Sequence, residues 1–274
     1  MLGASVAVVT GGYALRLDEA ERVRYRQMAV AARLDEADRW ARAGVVPGAR
    51  VADVGCGPGA VLVELARLVG RDGRAIGVEP DPAARAAARD ALDTAEMAWA
   101  EVVAGTGQAT GLELQAWDCV MVRHMLIHTG EAAAPIVQHL ADLLAPGGFV
   151  YLVDTDLDGA RTSPADPELE AQHRRYAEFH RAMGNDVRMG PRLPVLLAEA
   201  GLEVVETAGA YACIPAAAMA LGGPLRAAQD AMVAAGALGP SEAEQSEQAR
   251  QRFAQRPGAL LWMPQFIAVG RRPA

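Results

Sequence analysis

One stretch of the chain, residues 51–70 (VADVGCGPGAVLVELARLVG), constrains the fold more than any other. A short apolar run ends at Val54, glycines follow at Gly55, Gly57 and Gly59, and an amphipathic helical pattern begins at once. Glycine lets the backbone turn sharply and lets a ligand approach main-chain N–H groups, while the first turn of a helix offers a positive dipole end. The stretch therefore predicts a strand, a ligand-binding turn and a helix.

The surrounding sequence repeats this alternation. From residue 50 to about residue 154, short apolar runs alternate with amphipathic segments, and Gly, Pro or Asp marks each boundary. This alternation is typical of a parallel sheet with helices packed against it. We predict strands at 50–54, 74–79, 99–104, 117–122 and 148–154, and helices near 58–69, 82–93 and 131–145.

The two flanking segments have a different texture. Residues 13–44 predict one long or two short helices, because apolar and charged residues recur at helical spacing. Beyond residue 155 we predict helices at 164–184 and 191–200, a strand at 202–213, a helical insertion at 215–256 and a last strand at 259–270. Pro264 lies inside that last strand, which predicts an edge strand or a bulge.

Two carboxylates accompany the glycine-rich turn. Glu79 ends the second predicted strand, where an acid can accept both ribose hydroxyls of an adenosine. Asp53 stands two residues before the first glycine, where it would repel a pyrophosphate and attract an amino group. The glycines follow the pattern Gly-x-Gly-x-Gly rather than the dinucleotide pattern Gly-x-Gly-x-x-Gly. These residues favour an adenosine cofactor with an amino group, although a turn that merely closes a βαβ unit is the alternative.

Four motifs together resemble the class I S-adenosylmethionine-dependent methyltransferases. VADVGCGPG resembles their first motif, GVEPD the acidic tip of their second strand, WDCVMVRHMLIH their fourth-strand motif, and LLAPGGFVYLVD their turn into the fifth strand. The resemblance is closest to the small-molecule branch that includes the ubiquinone/menaquinone C-methyltransferases. The stretches GGYALRLDEAERVRYRQ and GNDVRMGPRLPVLLAEAGL also resemble bacterial methyltransferases found near natural-product genes.

The resemblance implies an α/β fold, namely a seven-stranded Rossmann-like sheet, mostly parallel with an antiparallel last strand and with helices on both faces. It implies an N-terminal helical cap at 1–44 and a methyltransferase domain at 45–274, with lid segments at 155–190 and 215–256. The expected cofactor is S-adenosylmethionine. The expected reaction is methyl transfer to an O, N or C nucleophile of a small organic acceptor, in bacterial secondary or quinone-type metabolism.

The cofactor-binding residues are carried over position by position. The residues expected to contact the cofactor are Asp53, Gly55, Cys56, Gly57, Gly59, Glu79, Pro80, Thr106, Gly107, Gln108, Arg123, Tyr13 and Gln27. The chain departs from the family pattern after the third strand, where an acid usually holds the adenine amino group. Thr106 and Gln108 stand there instead, and the Gln108 carbonyl or a backbone carbonyl can accept that hydrogen bond.

Two histidines follow the fourth predicted strand, in the sequence RHMLIHT. His124 and His128 are the candidate catalytic residues, because ligands of open α/β folds bind at the carboxyl ends of strands and histidine can accept a proton at neutral pH. We favour a loop-bracing role for His124, and for His128 both a cavity-facing and a bracing role stay open. Tyr176 and His180 recur at helical spacing, a pattern that marks a core more often than a pocket.

Composition excludes several other functions. The net charge is −8 and all 26 basic residues are arginine, which disfavours a nucleic-acid partner and rules out a Walker A or Schiff-base lysine. We predict no metal site, because no Cys or carboxylate spacing accompanies the histidines. No long apolar segment or basic leader is present, so we expect a cytoplasmic protein with no membrane partner, and a homodimer is one possibility.

Two other functions are kept as alternatives. An NAD-dependent oxidoreductase would need the dinucleotide glycine pattern and usually a Tyr/Lys pair, and the chain has no lysine. A non-catalytic protein of the same fold, which binds the cofactor as a sensor or scaffold, is compatible with every motif described above.

Overall fold

In the computed structural model, which describes residues 18–221 and 223–273, the strands form one mixed sheet. The described residues contribute eight strands: β1 Arg50–Val54, β2 Arg74–Glu79, β3 Ala100–Ala104, β4 Trp117–Arg123, β5 Leu144–Thr155, β6 Arg161–Ser163, β7 Glu203–Pro215 and β8 Leu260–Arg271. The strand order is β3-β2-β1-β4-β5-β8-β6, and β7 also pairs with β8. Strands β1 to β5 are parallel, whereas β8 runs antiparallel to β5, β6 and β7.

Helices connect these strands and flank the sheet. Their bounds are α1 Glu19–Arg42, α2 Ala60–Val69, α3 Pro82–Thr94, α4 Ala133–Leu143, α5 Pro167–Ala182, α6 Met189–Glu199, α7 Ala216–Leu221, α8 Pro224–Ala227, α9 Gln229–Ala234 and α10 Pro240–Ala254. Short 3-10 turns lie at Leu126–His128, Gly130–Ala132 and Leu157–Gly159. The predicted Rossmann-like α/β fold is confirmed, with the short strand β6 added to the seven that were expected.

Each face of the sheet carries its own apolar layer. Successive residues of a strand point to opposite faces, so Val51 and Ala52 enter different clusters. The Ala52 side packs against α4 and α6 through residues such as Leu140, and the Val51 side packs against α1 and α2 through residues such as Trp40. Because both faces are covered, the central strands are continuously apolar, as buried parallel strands require.

The pairing of the last strand corrects the prediction made from Pro264. Strand β8 is not an edge strand: β5 and β6 pair with different parts of one side of it, and β7 pairs along the other side. The β5 pairing ends at Gln265 and the β6 pairing begins at Trp262. On the side of β5 and β6, Pro264 thus lies where β8 passes from one partner to the next, so its missing N–H interrupts no continuous ladder on that side. The pair of β7 and β8 has its register shift in β7, between Val204 and Glu206.

The helical segments after β5 form two smaller clusters, one of which also includes Leu261 of β8. Leu169 of α5 packs with Phe253 of α10 in one cluster, while Tyr176 of α5 packs with Met232 of α9 in the other. Helix α5 therefore joins the predicted insertion to the carboxyl edge of the sheet. The helical character predicted for 215–256 is confirmed by α7 to α10.

Candidate functional site

The glycine-rich turn connects β1 to α2 in a conformation that needs glycine. Gly55, Gly57 and Gly59 have φ angles of 76°, 52° and 77°, in the left-handed region. A Cβ on Gly59 would lie 2.8 Å from the Cβ of Ala88, so this position lets α3 pack closely. A Cβ on Gly57 would meet no atom within 4 Å. The middle of the turn is consequently open, and a ligand can approach the backbone there.

Asp53 lies at the end of β1, beneath this turn. The residue is buried, and its Oδ2 atom has no hydrogen-bond partner among the described residues. Burial raises the pKa of the carboxyl to about 7, and the nearby charge of Glu79 adds to this effect, whereas the charge of Arg123 opposes it. A buried oxygen without a partner is costly, so this group fits a cationic or hydrogen-bonding ligand.

Glu79 ends β2 beside the same turn. Its Oε2 accepts a hydrogen bond from the Gly57 N–H at 3.0 Å, and its Oε1 accepts one from the Asp81 N–H at 2.9 Å. Each carboxylate oxygen has two lone pairs, so one acceptor site on each oxygen is still available for a diol. The parallel strands β1 and β2 thereby bring Asp53 and Glu79 together at one edge, as the sequence predicts.

Two neighbours of these acids occupy different environments. The Cys56 side chain is buried, and burial raises the pKa of its thiol well above the usual value. Its Sγ atom packs closely against Gly77 of β2, since a Cβ on Gly77 would lie only 2.7 Å from it, so Cys56 helps to hold β2 against the turn. Pro80 is exposed directly after Glu79, where it can contact a ligand that spans the edge.

The loop after β3 holds the residues expected near the adenine. Thr106 and Ala109 exchange backbone hydrogen bonds of 3.1 Å, which close a tight turn. Gly107 lies against Ile136, since a Cβ there would be 3.1 Å from that side chain. The Thr106 and Gln108 side chains are exposed. Their contact with an adenine therefore stays a prediction.

Arg123, which is expected to contact the cofactor, forms an ion pair with another side chain of the protein. Its guanidinium forms two hydrogen bonds with Glu36 of α1, at 2.6 and 2.9 Å, and both side chains are buried. Glu36 also accepts hydrogen bonds from the Tyr151 hydroxyl at 2.8 Å and the Trp40 indole at 3.1 Å. Burial raises the pKa of Glu36, but these partners outweigh burial and hold it below the usual value. Arg123 thus helps to anchor α1 to the sheet, and its contact with a cofactor stays a prediction.

The sequence analysis missed Glu36, although a signal was present. Glu36 lies on the same helical face as Ala32 and Trp40, which are buried, and an acid on an apolar face usually has a partner. Gln27 is exposed and lies two residues before buried Ala29, which places it on the opposite side of α1. We therefore leave Gln27 out of the candidate site. Tyr13 lies outside the described residues.

His124 follows β4 at the carboxyl edge of the sheet. Its φ angle of 52° is unusual for a residue other than glycine, and its N–H donates to the Val153 carbonyl at 2.8 Å. Burial lowers the pKa of the imidazole to about 3. The strained backbone turns the chain sharply, so that Met125 packs against Gly55 of the cofactor turn. This placement supports the bracing role that we favour for His124.

His128 ends the 3-10 turn that follows. Asp154 of β5 is fully buried and holds this turn, since its Oδ2 accepts from the Ile127 N–H at 2.9 Å. Burial raises the pKa of Asp154 to about 7, although its backbone hydrogen bonds oppose the shift. His128 as a whole residue is partly exposed, and burial of its ring lowers the pKa to about 3. His128 is therefore neutral at physiological pH, and a neutral imidazole has one nitrogen that can accept a hydrogen bond.

Helix α5 brings two further rings to His128. The centroid of the His180 ring lies 5.1 Å from that of His128, and the Tyr176 ring packs edge-on against His180 at 4.4 Å. We call His124, His128, Tyr176 and His180 the histidine cluster. The sequence analysis treated the α5 pair as core residues, because helical spacing alone does not show that α5 packs over the 3-10 turn.

A metal centre and a membrane-spanning helix find no support in the parts of the chain that the structure describes. No group of three or more His, Cys, Asp or Glu side chains in residues 18–221 and 223–273 is arranged to hold a metal ion. No helix within the same ranges is long and apolar enough to cross a membrane.

Comparison with known proteins relates one part of the chain to a described family. Residues 51–148 match the model of a family described as a methyltransferase domain. An uncharacterized methyltransferase of Schizosaccharomyces pombe is 30% identical over 125 residues, which cover 43% of this chain and 44% of that protein. The chain spans about half the length of the curated relatives it matches. Residues 51–148 are thus similar to a methyltransferase domain, and a SAM-dependent methyltransferase from Aquifex aeolicus is among the solved structures that share the fold, at 17% identity with a TM-score of 0.52.

Solved structures share the fold at low sequence identity. Phosphoethanolamine N-methyltransferase 2 of Haemonchus contortus, in complex with phosphomonomethylethanolamine and S-adenosylhomocysteine, is 13% identical with a TM-score of 0.54, over 84% of this chain and 50% of that one. A [4+2]-cyclase is 16% identical with a TM-score of 0.55, over 86% of this chain and 80% of that one. A fold shared by a methyltransferase and a cyclase does not by itself define the reaction.

Proposed function

We propose that this chain binds S-adenosylmethionine at the tips of β1 and β2 and transfers its methyl group to a small organic acceptor beside His128. The observation that carries the proposal is the buried Oδ2 atom of Asp53, which has no partner among the described residues and belongs to the strand that leads into a turn open at Gly57. The amino group of the cofactor would supply a cationic donor to this oxygen. A nicotinamide dinucleotide offers a pyrophosphate instead, which the carboxylate would repel.

The residues at this edge can hold the two ends of the cofactor. Asp53 would bind the amino group of its methionine part, and Glu79 would accept hydrogen bonds from the two ribose hydroxyls. Gly57 would let the cofactor approach the backbone, because no side chain lies above it. The loop of Thr106, Gly107 and Gln108 would contact the adenine.

The histidine cluster would act on the acceptor. When bound, the cofactor supplies an electrophilic methyl group on a sulfonium, and the reaction is an in-line displacement that needs alignment more than acid–base power. His128 would orient the nucleophile by accepting a hydrogen bond from it, since a ring with a pKa of about 3 is a weak base. Helices α1 and α5 would exclude water and fix the approach of the acceptor, and we propose the segments 155–190 and 215–256 as the lid over this region.

The acceptor that we propose is a small molecule rather than a nucleic acid, in keeping with secondary or quinone-type metabolism. The net charge of −8 offers no basic surface for phosphates. The small-molecule acceptor named for the nematode phosphoethanolamine methyltransferase supports this choice.

Calorimetry tests the cofactor assignment. We expect S-adenosylhomocysteine to bind, and we expect Asp53→Asn, which keeps the size of the side chain, to weaken binding. Asp90→Asn alters an exposed acid of α3 and serves as the matched control. Binding of NAD without binding of S-adenosylhomocysteine would contradict the proposal. A panel of acceptors, assayed for methyl transfer once cofactor binding is shown, separates an enzyme from a non-catalytic binding protein.

A further inference from the structure

His180 has a hydrogen-bonding state that the structure defines. The Asn185 side-chain nitrogen lies 2.8 Å from the Nδ1 atom of His180. An amide nitrogen can only donate, so Nδ1 accepts and the ring proton of the neutral imidazole is on Nε2. Burial lowers the pKa of His180 to about 4, which keeps the ring neutral. The His180 ring is therefore an N–H donor.

The Nε2–H donor of His180 has no hydrogen-bond partner among the described residues. The side chain is 1% exposed, and Nε2 makes no hydrogen bond with any described residue. Leaving a buried donor unsatisfied costs about 1–3 kcal/mol, so the site favours a ligand atom that accepts a hydrogen bond. His128 is the partly accessible member of this ring pair, which makes its side of the cluster the route of approach.

The charges around the cluster oppose a cationic ligand. Glu21 and Glu36 are the two carboxylates whose charge reaches these rings. Glu21 is occupied by hydrogen bonds from Arg24, at 2.7 and 2.9 Å, and from the Gly223 N–H at 2.6 Å. Glu36 is occupied by Arg123. Neither carboxylate is therefore left to neutralise an ammonium group on an acceptor, whereas an uncharged ligand needs no such partner.

We propose that the acceptor is a neutral hydroxylated aromatic compound, a phenol, and that His180 binds one of its oxygens through Nε2–H. This inference rests on the proposed function and narrows its acceptor class. The rings of Tyr176, His180 and His128 pack against one another and make this region aromatic, a surrounding that suits an aromatic ligand. In the reaction, the phenol oxygen gains the methyl group, the carbon–sulfur bond breaks with its electron pair left on sulfur, and the phenol proton is released to water.

A matched pair of probes tests the acceptor class by binding alone. p-Cresol and benzylamine have similar size and shape, but benzylamine is a cation at neutral pH. We expect the protein saturated with S-adenosylhomocysteine to bind p-cresol at least about tenfold more tightly than benzylamine, as measured by ligand-observed NMR titration. Equal affinities, tighter binding of benzylamine, or no binding of p-cresol would overturn the inference.

Substitutions locate the selectivity at one nitrogen. His180→Phe removes the donor and keeps a ring, and we expect it to weaken p-cresol binding about fivefold to tenfold without changing the affinity for S-adenosylhomocysteine. His180→Gln restores an N–H donor and should recover part of the loss. His173→Phe alters a second buried histidine of α5, whose Nδ1 contacts the Leu169 carbonyl, and should leave p-cresol binding unchanged.

The outcomes separate this inference from the proposed function. If S-adenosylhomocysteine does not bind the wild-type protein, the proposed function fails. If it binds and His180→Phe keeps full affinity for p-cresol, the role of His180 is wrong while the methyltransferase proposal stands. Because the cofactor affinity of each variant is measured in the same samples, a misfolded variant is recognised by its loss of S-adenosylhomocysteine binding, and His180→Gln then decides the question.

Discussion

We call Asp53, the glycine turn and Glu79 the cofactor edge. The cofactor edge and the histidine cluster both lie at the carboxyl ends of the parallel strands, but different parts of the chain form them. The groups at the cofactor edge come from one short stretch, residues 53–79, in which two strands and a turn place them. The histidine cluster combines a 3-10 turn after β4 with a helix that follows β5. Backbone geometry fixes the first region, whereas side-chain packing between distant segments fixes the second.

This difference has a physical consequence for variation. The glycines of the cofactor edge tolerate little change, because their φ angles and the close approach of Ala88 require them. The cluster depends on how α1 and α5 pack, so it can change its residues without disturbing the sheet. A common cofactor and divergent acceptors are expected from such a construction.

Helix α1 connects the two regions, and breaking its anchor gives the largest expected effect. Glu36→Ala would leave the buried guanidinium of Arg123 without a partner, so we expect the free energy of unfolding to fall by about 3–5 kcal/mol. Urea denaturation measures this loss. Glu19→Ala removes an exposed ion pair with Arg26 on the same helix and should change stability little.

A double variant sharpens the same test. Glu36→Leu combined with Arg123→Met replaces the buried pair with apolar side chains and should recover part of the lost stability, because the Tyr151 hydroxyl and the Trp40 indole still lose their acceptor. Equal losses for Glu36→Ala and Glu19→Ala would show that the pair does not anchor α1.

The second prediction addresses the acceptor region. His128→Ala removes the group proposed to orient the nucleophile, and we expect turnover to fall about 100-fold while the affinity for S-adenosylhomocysteine stays the same. The measurement is methyl transfer to an acceptor identified by the panel, alongside calorimetry. His139→Ala, which alters a histidine of α4 that contacts Thr110, is the control. Wild-type turnover in His128→Ala would return this residue to a bracing role.

The same contrast explains how much the sequence could predict. Asp53, the three glycines and Glu79 were placed correctly because a strand–turn–helix unit fixes their positions from local sequence alone. The alternation of strands and helices was equally visible, since buried parallel strands are continuously apolar. The additional strand β6 was not predicted, because its three residues are too few to show an alternation of apolar and polar side chains.

The errors come from contacts between distant segments. Arg123 lies at a strand tip, and the sequence does not show that its ion-pair partner is 87 residues away on α1. Pro264 suggested an edge strand, because the sequence does not show that three strands share β8. The burial of Tyr176 and His180 agrees with the core interpretation, but their position beside His128 could not be predicted. Such contacts depend on tertiary packing, which cannot be read from the spacing of apolar residues or from composition.

The third prediction returns to the cofactor edge. Glu79→Ala would remove the acceptor of the ribose hydroxyls and the partner of the Gly57 N–H, so we expect cofactor binding to weaken by about 1–3 kcal/mol. Calorimetry with S-adenosylhomocysteine measures the change, and Asp90→Ala on α3 is the control. Unchanged affinity would remove Glu79 from the site.

The smallest expected effect is a pH dependence that separates the two regions. Below its folded-state pKa of about 7, Asp53 is protonated and loses its attraction for an amino group, whereas above it the carboxylate is charged. Affinity for S-adenosylhomocysteine should therefore rise about tenfold between pH 6 and pH 8. The histidines do not contribute, because burial holds the pKa values of His124 and His128 near 3, well below this range.

Asp53→Asn should flatten the pH profile, and calorimetry in buffers of different ionisation enthalpy should show that the wild-type protein releases a proton on binding. His128→Ala should keep the full slope, since its ring is neutral throughout. A slope that survives in Asp53→Asn would assign the titration to another group and would remove the main support for an amino group at Asp53. A slope lost in His128→Ala would show that the two regions are electrostatically coupled, contrary to the separation that their construction implies.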